Sequence, residues 1–213
     1  MSEPTRADVD AYAASATTPA GPELDEVYAA TVAELGREGM LSGPVAGRLL
    51  ETLVFLARPR LVVEVGTFSG YSALTMARAL PEGGRIVTLE VDPAHAAFAR
   101  ARFEGSPLGA RIELREGPAL AALEAIDEPI DLAFVDADKE GYTAYYEAIV
   151  PRLSPHGLLV ADNTLRGGRV LDGADEQGRI MDAFNRHVQA DERTVNVLLT
   201  VRDGVTLVRR ASA

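Results

Sequence analysis

The sequence contains no cysteine. Disulfides, thiolate metal sites and a cysteine nucleophile are therefore excluded, and such a composition suits a cytoplasmic protein. No apolar run approaches the roughly 20 residues of a membrane-crossing helix, so no membrane partner is expected. The N-terminus carries Glu3, Asp8 and Asp10 without a hydrophobic core and does not read as a secretory leader. Positive charge is scarce: 21 Lys and Arg stand against 32 Asp and Glu, a net charge of -11. Nucleic-acid binding draws on clustered Lys and Arg, so this balance works against it without excluding a local basic patch. No internal repeat is visible, low complexity is confined to the Ala/Thr/Pro-rich start, and no Gly-x-Ser-x-Gly elbow offers a hydrolase triad.

What is there suffices for one substantial α/β core: 213 residues, 47% of them hydrophobic. Residues 1–22 are polar and Ala-rich and read as a loosely held arm. The remainder, 23–213, reads as one domain with a helical extension over 23–58. In that extension Leu24, Val27, Tyr28, Thr31 and Leu35 share one helical face. Ser42-Gly43-Pro44 then supplies a cap and a first-turn proline for a helix carrying Val45, Leu49, Leu53 and Leu56 to a stop at Arg58-Pro59. From Leu61, strands alternate with helices. Strands are expected at about 61–65, 85–90, 111–115, 130–136 and 157–162, and helices near 70–80, 93–104, 118–126 and 140–152. Such alternation builds βαβ units and a parallel sheet. The last third departs from it. Ile180, Met181, Phe184 and Val188 mark an amphipathic helix, after which Thr194–Val201 and Val205–Arg210 flank Arg202-Asp203-Gly204, where Asp-Gly is a hairpin signal. The expected fold is an α/β, Rossmann-like seven-stranded sheet, mostly parallel with a C-terminal antiparallel hairpin, and with helices on both faces.

Two apolar runs stop abruptly on polar side chains: Leu132-Ala133-Phe134-Val135 before Asp136-Ala137-Asp138-Lys139, and Leu158-Leu159-Val160-Ala161 before Asp162-Asn163. Each reads as a buried parallel strand, and ligands of open α/β sheets sit beyond the carboxyl ends of such strands. Asp136 and Asp162 would both lie at that edge. Consecutive side chains inside a strand point to opposite faces, so Asp162 and Asn163 can share a ligand only if the strand has already ended. For either strand alone, capping by turn-forming Asp and Asn is the plainer reading; the two together favour a ligand.

The first strand runs out through Val63-Glu64-Val65-Gly66-Thr67-Phe68-Ser69-Gly70-Tyr71-Ser72. A glycine-rich turn opening a helix resembles a dinucleotide fingerprint, but Phe68 stands where a second glycine would let backbone approach a pyrophosphate. No lysine follows, so this is not a phosphate-cradling P-loop. The Glu64 carboxylate suits an ammonium group, and the helix N-terminus near Ser72 suits a carboxylate. An amino acid carries both. Glu90 ends the second strand 24 residues after Gly66, about the spacing at which an acid meets ribose hydroxyls. An amino acid joined to a ribose fits S-adenosylmethionine better than NAD, which stays open as the alternative.

The stretches Glu64-Val-Gly-Thr-Phe-Ser-Gly-Tyr-Ser72, Phe134-Val-Asp-Ala-Asp-Lys139 and Asp162-Asn-Thr-Leu165, in this order and spacing, make the sequence resemble the cation-dependent O-methyltransferases, the class of caffeoyl-CoA and catechol O-methyltransferases. The resemblance runs from about Met40 to the C-terminus. It implies that Asp136, Asp162 and Asn163 are metal ligands and that Lys139 is the catalytic lysine. It further implies that Met40, Ser42, Glu64, Gly66, Thr67, Ser72, Glu90, Ala119 and Asp138 contact S-adenosyl-L-methionine. A small-molecule phenolic acceptor with neighbouring hydroxyls, and a homodimer, are implied in the same way. Two carboxylates and an amide form a hard oxygen set suited to Mg²⁺, Mn²⁺ or Ca²⁺ rather than zinc. An acceptor with vicinal hydroxyls could chelate such an ion, which lowers the hydroxyl pKa and fixes the attacking oxygen. An isolated lysine side chain titrates at about 10.4, so service as a base needs nearby positive charge to favour the neutral amine.

After Leu165 the sequence departs from this family, which commonly has Trp where the chain has Arg166, followed by Gly167-Gly168-Arg169. A di-glycine loop bearing two guanidinium groups could meet an acceptor carboxylate; equally, Arg166 could point into solvent. His95, His156 and His187 lack paired ligand spacing and read as helix-surface or turn residues; of Tyr142, Tyr145 and Tyr146 one could edge the pocket, with core packing the plainer reading. Two other functions stay open. One is a tRNA hydroxyuridine O-methyltransferase, which the resemblance also reaches and the acidic balance disfavours. The other is an NAD-dependent oxidoreductase, which would need the glycine missing at position 68.

Overall fold

The computed structural model describes residues 5–36, 43–173 and 175–212. Strands β1 (Leu61–Val65), β2 (Arg85–Glu90), β3 (Ile112–Glu116), β4 (Ile130–Val135), β5 (Leu153–Asp162), β6 (Thr194–Leu199) and β7 (Val205–Arg210) form one sheet in the order β3-β2-β1-β4-β5-β7-β6. The first five run parallel to one another. The last is antiparallel to both β5 and β6, between which it inserts. The expected seven-stranded sheet with a reversed final strand is present.

All five residues of β1 are buried, as in a strand covered on both faces. Its side chains divide by parity, because successive residues face opposite ways. Leu61, Val63 and Val65 pack with Leu123, Tyr142, Tyr146, Met181 and Phe184, which come from or adjoin α6 (Ala119–Glu124), α7 (Tyr142–Ile149) and α8 (Glu176–Ala190). Val62 packs on the other face with Leu50, Val54 and Met76, from α3 (Gly43–Ala57) and α4 (Tyr71–Ala77). Beside α4 lies α5 (Pro93–Glu104), whose first turn is capped by the Asp92 carboxylate accepting the Ala94 N–H at 2.8 Å. Helices therefore cover both faces.

Strand order decides where a ligand can sit. From β1 the chain steps outward through β2 to β3, then returns to the other side of β1 for β4 and β5. The reversal leaves a crevice beyond the carboxyl ends of β1 and β4.

Several boundaries differ from expectation. Expected from 140 to 152, α7 ends at Ile149, and a 3₁₀ turn Val150–Arg152 follows; Pro151 has no N–H to continue the α-helix. Strand β5 begins at Leu153 instead of 157, with a register shift between Ile130 and Leu132 on its partner. Within 1–22, composition concealed a helix, α1 (Arg6–Ser15), begun by a capping box in which Thr5 and Asp8 exchange hydrogen bonds. It buries no residue, but the Arg6 guanidinium donates to the carbonyls of Thr200 and Arg202 at 2.6 and 2.7 Å. A second helix, α2 (Pro22–Ala30), continues as a π-turn over Thr31–Leu35. Ser42, expected to cap α3, lies outside the described residues, as does Met40.

The tightest backbone approach in the crevice is at Gly66, where a Cβ would lie 2.2 Å from the Asp136 carbonyl oxygen and where φ is +99°. Gly66→Ala should therefore cost on the order of 2 kcal/mol or more, lowering Tm by roughly 4–8 °C. Gly105→Ala is the control, because its Cβ would make only ordinary contact at 3.5 Å. Equal melting temperatures for the two variants would contradict the close approach.

Candidate active site

Four strand ends are laced together where the crevice opens. Gly66 N–H donates to the Leu89 carbonyl at 3.0 Å, Asp136 N–H to the Val65 carbonyl at 2.9 Å, and Gly117 N–H to the Glu90 carbonyl at 2.8 Å. Above them lies a cavity of about 700 Å³. Of the residues expected at a site, Gly66, Thr67, Ser72, Glu90, Ala119, Asp136, Asp138, Lys139, Asp162 and Asn163 all line it. Glu64 does not; it lies under the floor.

At one end is Glu90, 7% exposed. Its two carboxylate oxygens accept the N–H groups of Phe68 at 2.7 Å and Asp92 at 2.9 Å. A carboxylate has about four acceptor sites, so capacity remains for a pair of ribose hydroxyls. The Phe68 and His95 rings meet edge to face at 4.9 Å and line the cavity with Val91, Ala119 and Leu120, an apolar slot for a flat heterocycle. His95 was expected on a helix surface. It turns inward because Asp92 starts α5 directly over the slot.

In the middle, Glu64 and Thr88 are register partners on β1 and β2, so their side chains share a face and the Thr88 hydroxyl donates to Glu64 Oε2. Thr67 and Thr88 hydroxyls meet at 2.5 Å. Glu64 Oε1 is buried with no hydrogen-bond partner. Burial pushes the Glu64 carboxyl up to about 8, against the lowering influence of Ser72 and Thr88. An ammonium group above the floor would favour its charged form.

At the other end, Asp162 is the last residue of β5 and Asn163 has a left-handed backbone, φ 57°. The strand has ended where sharing a ligand requires it to. Burial, then the Asp136 carboxylate, pushes the Asp162 carboxyl up to about 7. Lys139, 8% exposed, donates to Asp136 Oδ1 at 3.0 Å and to the Tyr142 hydroxyl at 2.7 Å. That hydroxyl in turn faces the carbonyls of Val135 at 3.2 Å and Asp162 at 3.0 Å, and burial holds it protonated. Among the described residues no three His, Cys, Asp or Glu side chains gather as a metal cluster. The donor set on offer is instead two mutually repelling carboxylates and the Asn163 amide, and a hard divalent cation would relieve that repulsion.

Of the three tyrosines, all packed in the core, Tyr145 also edges the cavity and donates to Asp138 Oδ1 at 2.6 Å. Arg166 lines the cavity, but Arg169 is not among its walls and pairs with Asp175 at 3.2 Å. The second guanidinium there belongs to Arg202, beside Asp203. Only the pairing of β7 with β5 brings that turn to the site, which no local pattern announces.

A family model described as O-methyltransferase matches residues 14–211. The chain is 36% identical over 200 residues to a catechol O-methyltransferase of Niastella koreensis, covering 88% of this chain and 90% of the relative. To a caffeoyl-CoA O-methyltransferase of Petroselinum crispum it is 34% identical, with 78% and 75% covered. Among solved structures, an SAH-bound methyltransferase of Podospora anserina superposes with a TM-score of 0.91 at 29% identity, covering 100% of this chain and 97% of the other. The chain belongs to the O-methyltransferase family, enzymes that carry a methyl group onto a hydroxyl oxygen.

Proposed function

We propose that the protein methylates one hydroxyl of a small catechol-type acceptor, using S-adenosylmethionine and a divalent cation, Mg²⁺ by preference. The observation that carries this reading is the Asp136–Lys139–Tyr142–Asp162 arrangement at one end of a cavity whose other end holds Glu90. S-adenosylmethionine bound between them would supply a methyl group on a sulfonium. Glu90 receives its ribose hydroxyls, the Phe68–His95 slot its adenine, and Glu64 and Ser72 its amino-acid end. Asp136, Asp162 and Asn163 would hold the cation, which supplies charge that makes a catechol hydroxyl more acidic. Lys139 takes the proton of the attacking hydroxyl, and Tyr142 fixes the amine by anchoring it to two main-chain carbonyls. The protein's share is mainly positioning, which can account for a large part of a transfer barrier. An NAD-dependent oxidoreductase is disfavoured by the family and has no use for the Asp162-Asn163 pair.

Excess EDTA should abolish turnover and added Mg²⁺ or Mn²⁺ should restore it, while Asp162→Asn loses turnover and keeps S-adenosylmethionine affinity within a few-fold. Full activity in EDTA would refute the metal assignment. Lys139→Ala should lower kcat by about 10²–10⁴ with cofactor affinity little changed; an equal loss in binding would make Lys139 structural.

Glu64 gives a test with a sign in pH. Its carboxyl is raised from 4.5 to about 8, so the folded chain retains a proton that the unfolded chain releases between those values. Stability associated with that proton is complete below the unfolded value and is lost as pH rises through the folded one. Glu64→Gln should match wild type in Tm near about pH 5 and melt higher near about pH 9, while binding S-adenosylmethionine roughly tenfold more weakly. A Tm difference that is the same at both pH values, with affinity unchanged, overturns the assignment.

A further inference from the structure

Next to the Asp162-Asn163 turn, Arg166 and, beside Asp203, Arg202 both line the cavity. Main-chain bonds hold the two together. Leu165 N–H donates to the Asp203 carbonyl at 2.8 Å and Thr164 N–H to the Gly204 carbonyl at 3.1 Å. The Gly167 N–H donates to the Asp203 carboxylate. The turn after β5 is thereby joined to the turn before β7, and the two pack closely at Gly204, where a Cβ would lie 2.7 Å from Leu165 N. Arg166 N–H also donates to the Asn163 carbonyl at 3.3 Å, so Arg166 starts one tight turn from Asn163. Its own backbone is left-handed, φ 47°, a conformation that persists only where the surroundings enforce it.

Within this rigid turn, Arg166 Nε is buried and has no hydrogen-bond partner. An enclosed donor of a charged group left unpaired is costly, and the guanidinium fork is shaped for a carboxylate, which it can grip through two parallel N–H bonds. Resting on the function proposed above, this end of the cavity is the acceptor's, since Asp136, Lys139, Asp162 and Asn163 border it. We propose that Arg166, with Arg202 beside it, forms a carboxylate subsite for the acceptor. The preferred acceptors are then catechols whose ring also bears a carboxylate, directly or on a short arm, such as dihydroxybenzoates and dihydroxycinnamates. A bare catechol offers the Arg166 guanidinium no anionic partner.

The test compares 3,4-dihydroxybenzoate with its primary amide and with catechol, as ratios of kcat/KM, in wild type, Arg166→Ala and Arg166→Lys. Wild type should favour the carboxylate over the amide by tenfold or more. In Arg166→Ala that ratio should fall to near one, chiefly through KM for the carboxylate, and Arg166→Lys should restore part of it, because it keeps charge but not the fork. An Arg166 that merely supports the turn would depress all three acceptors alike and leave the ratio in place, which overturns the subsite while the proposed function stands. A wild type without preference overturns it as well. Failure of wild type to methylate any of the three removes the proposed function and the subsite together.

Discussion

At Gly66 the end of β1 passes so close to Asp136 that a Cβ would fall 2.2 Å from its carbonyl oxygen. That approach follows from the strand order, in which β4 lies against β1 on the side opposite β2. It brings the loop after β4, with Asp136, Asp138 and Lys139, against the loop after β1, with Thr67, Phe68 and Ser72. A cofactor contacting one loop is thereby within reach of chemistry performed by the other. With a larger residue at 66 the two loops would have to part, and the methyl donor and the acceptor end would separate with them.

Charge is the second organising feature. Glu64, Glu90, Asp136 and Asp162 surround one crevice, and the first and last of these have carboxyls pushed up to about 8 and about 7 by burial. Buried acids that resist ionisation are held in a field that welcomes cations. An ammonium, a sulfonium or a divalent ion would each reduce that repulsion where it bound. Lys139 is the one lysine there, and its two hydrogen bonds, to Asp136 and to Tyr142, hold it between the carboxylate and a hydroxyl fixed by main-chain carbonyls.

Much of this was legible in the sequence because strand ends are local. Apolar runs that stop on Asp136 and Asp162, a glycine-rich turn after β1, and an acid at the end of β2 declare themselves within a few residues. Components created by long-range pairing did not. Arg202 reaches the cavity only because β7 inserts beside β5, and that register cannot be read from either strand alone. Arg169 looked equivalent to Arg166, three residues away, but the 3₁₀ turn Arg166–Gly168 directs it toward Asp175. His95 and Tyr145 are helical residues whose inward face depends on how α5 and α7 meet the sheet. The helix α1 escaped composition because its apolar content is low; its Thr5/Asp8 capping box was the local signal available.

Strain points to the same place independently of any family. Among the described residues, the non-glycine positions with left-handed backbones are Arg58, Phe68, Asn163, Arg166 and Arg202, and all but Arg58 line the cavity. Each such residue costs about 1 kcal/mol or more, and ordinary loops avoid the expense by placing glycine there. Glycine at Phe68 would remove the ring that meets His95; at Asn163, the amide beside Asp162; at Arg166 and Arg202, the positive wall. The side chain matters enough at all four positions to outweigh a strained main chain. Three of the four, Asn163, Arg166 and Arg202, come from the turns after β5 and before β7, at the end proposed for the acceptor, so the larger share of tolerated strain lies where substrate choice would be made, and the smaller share where the cofactor would bind.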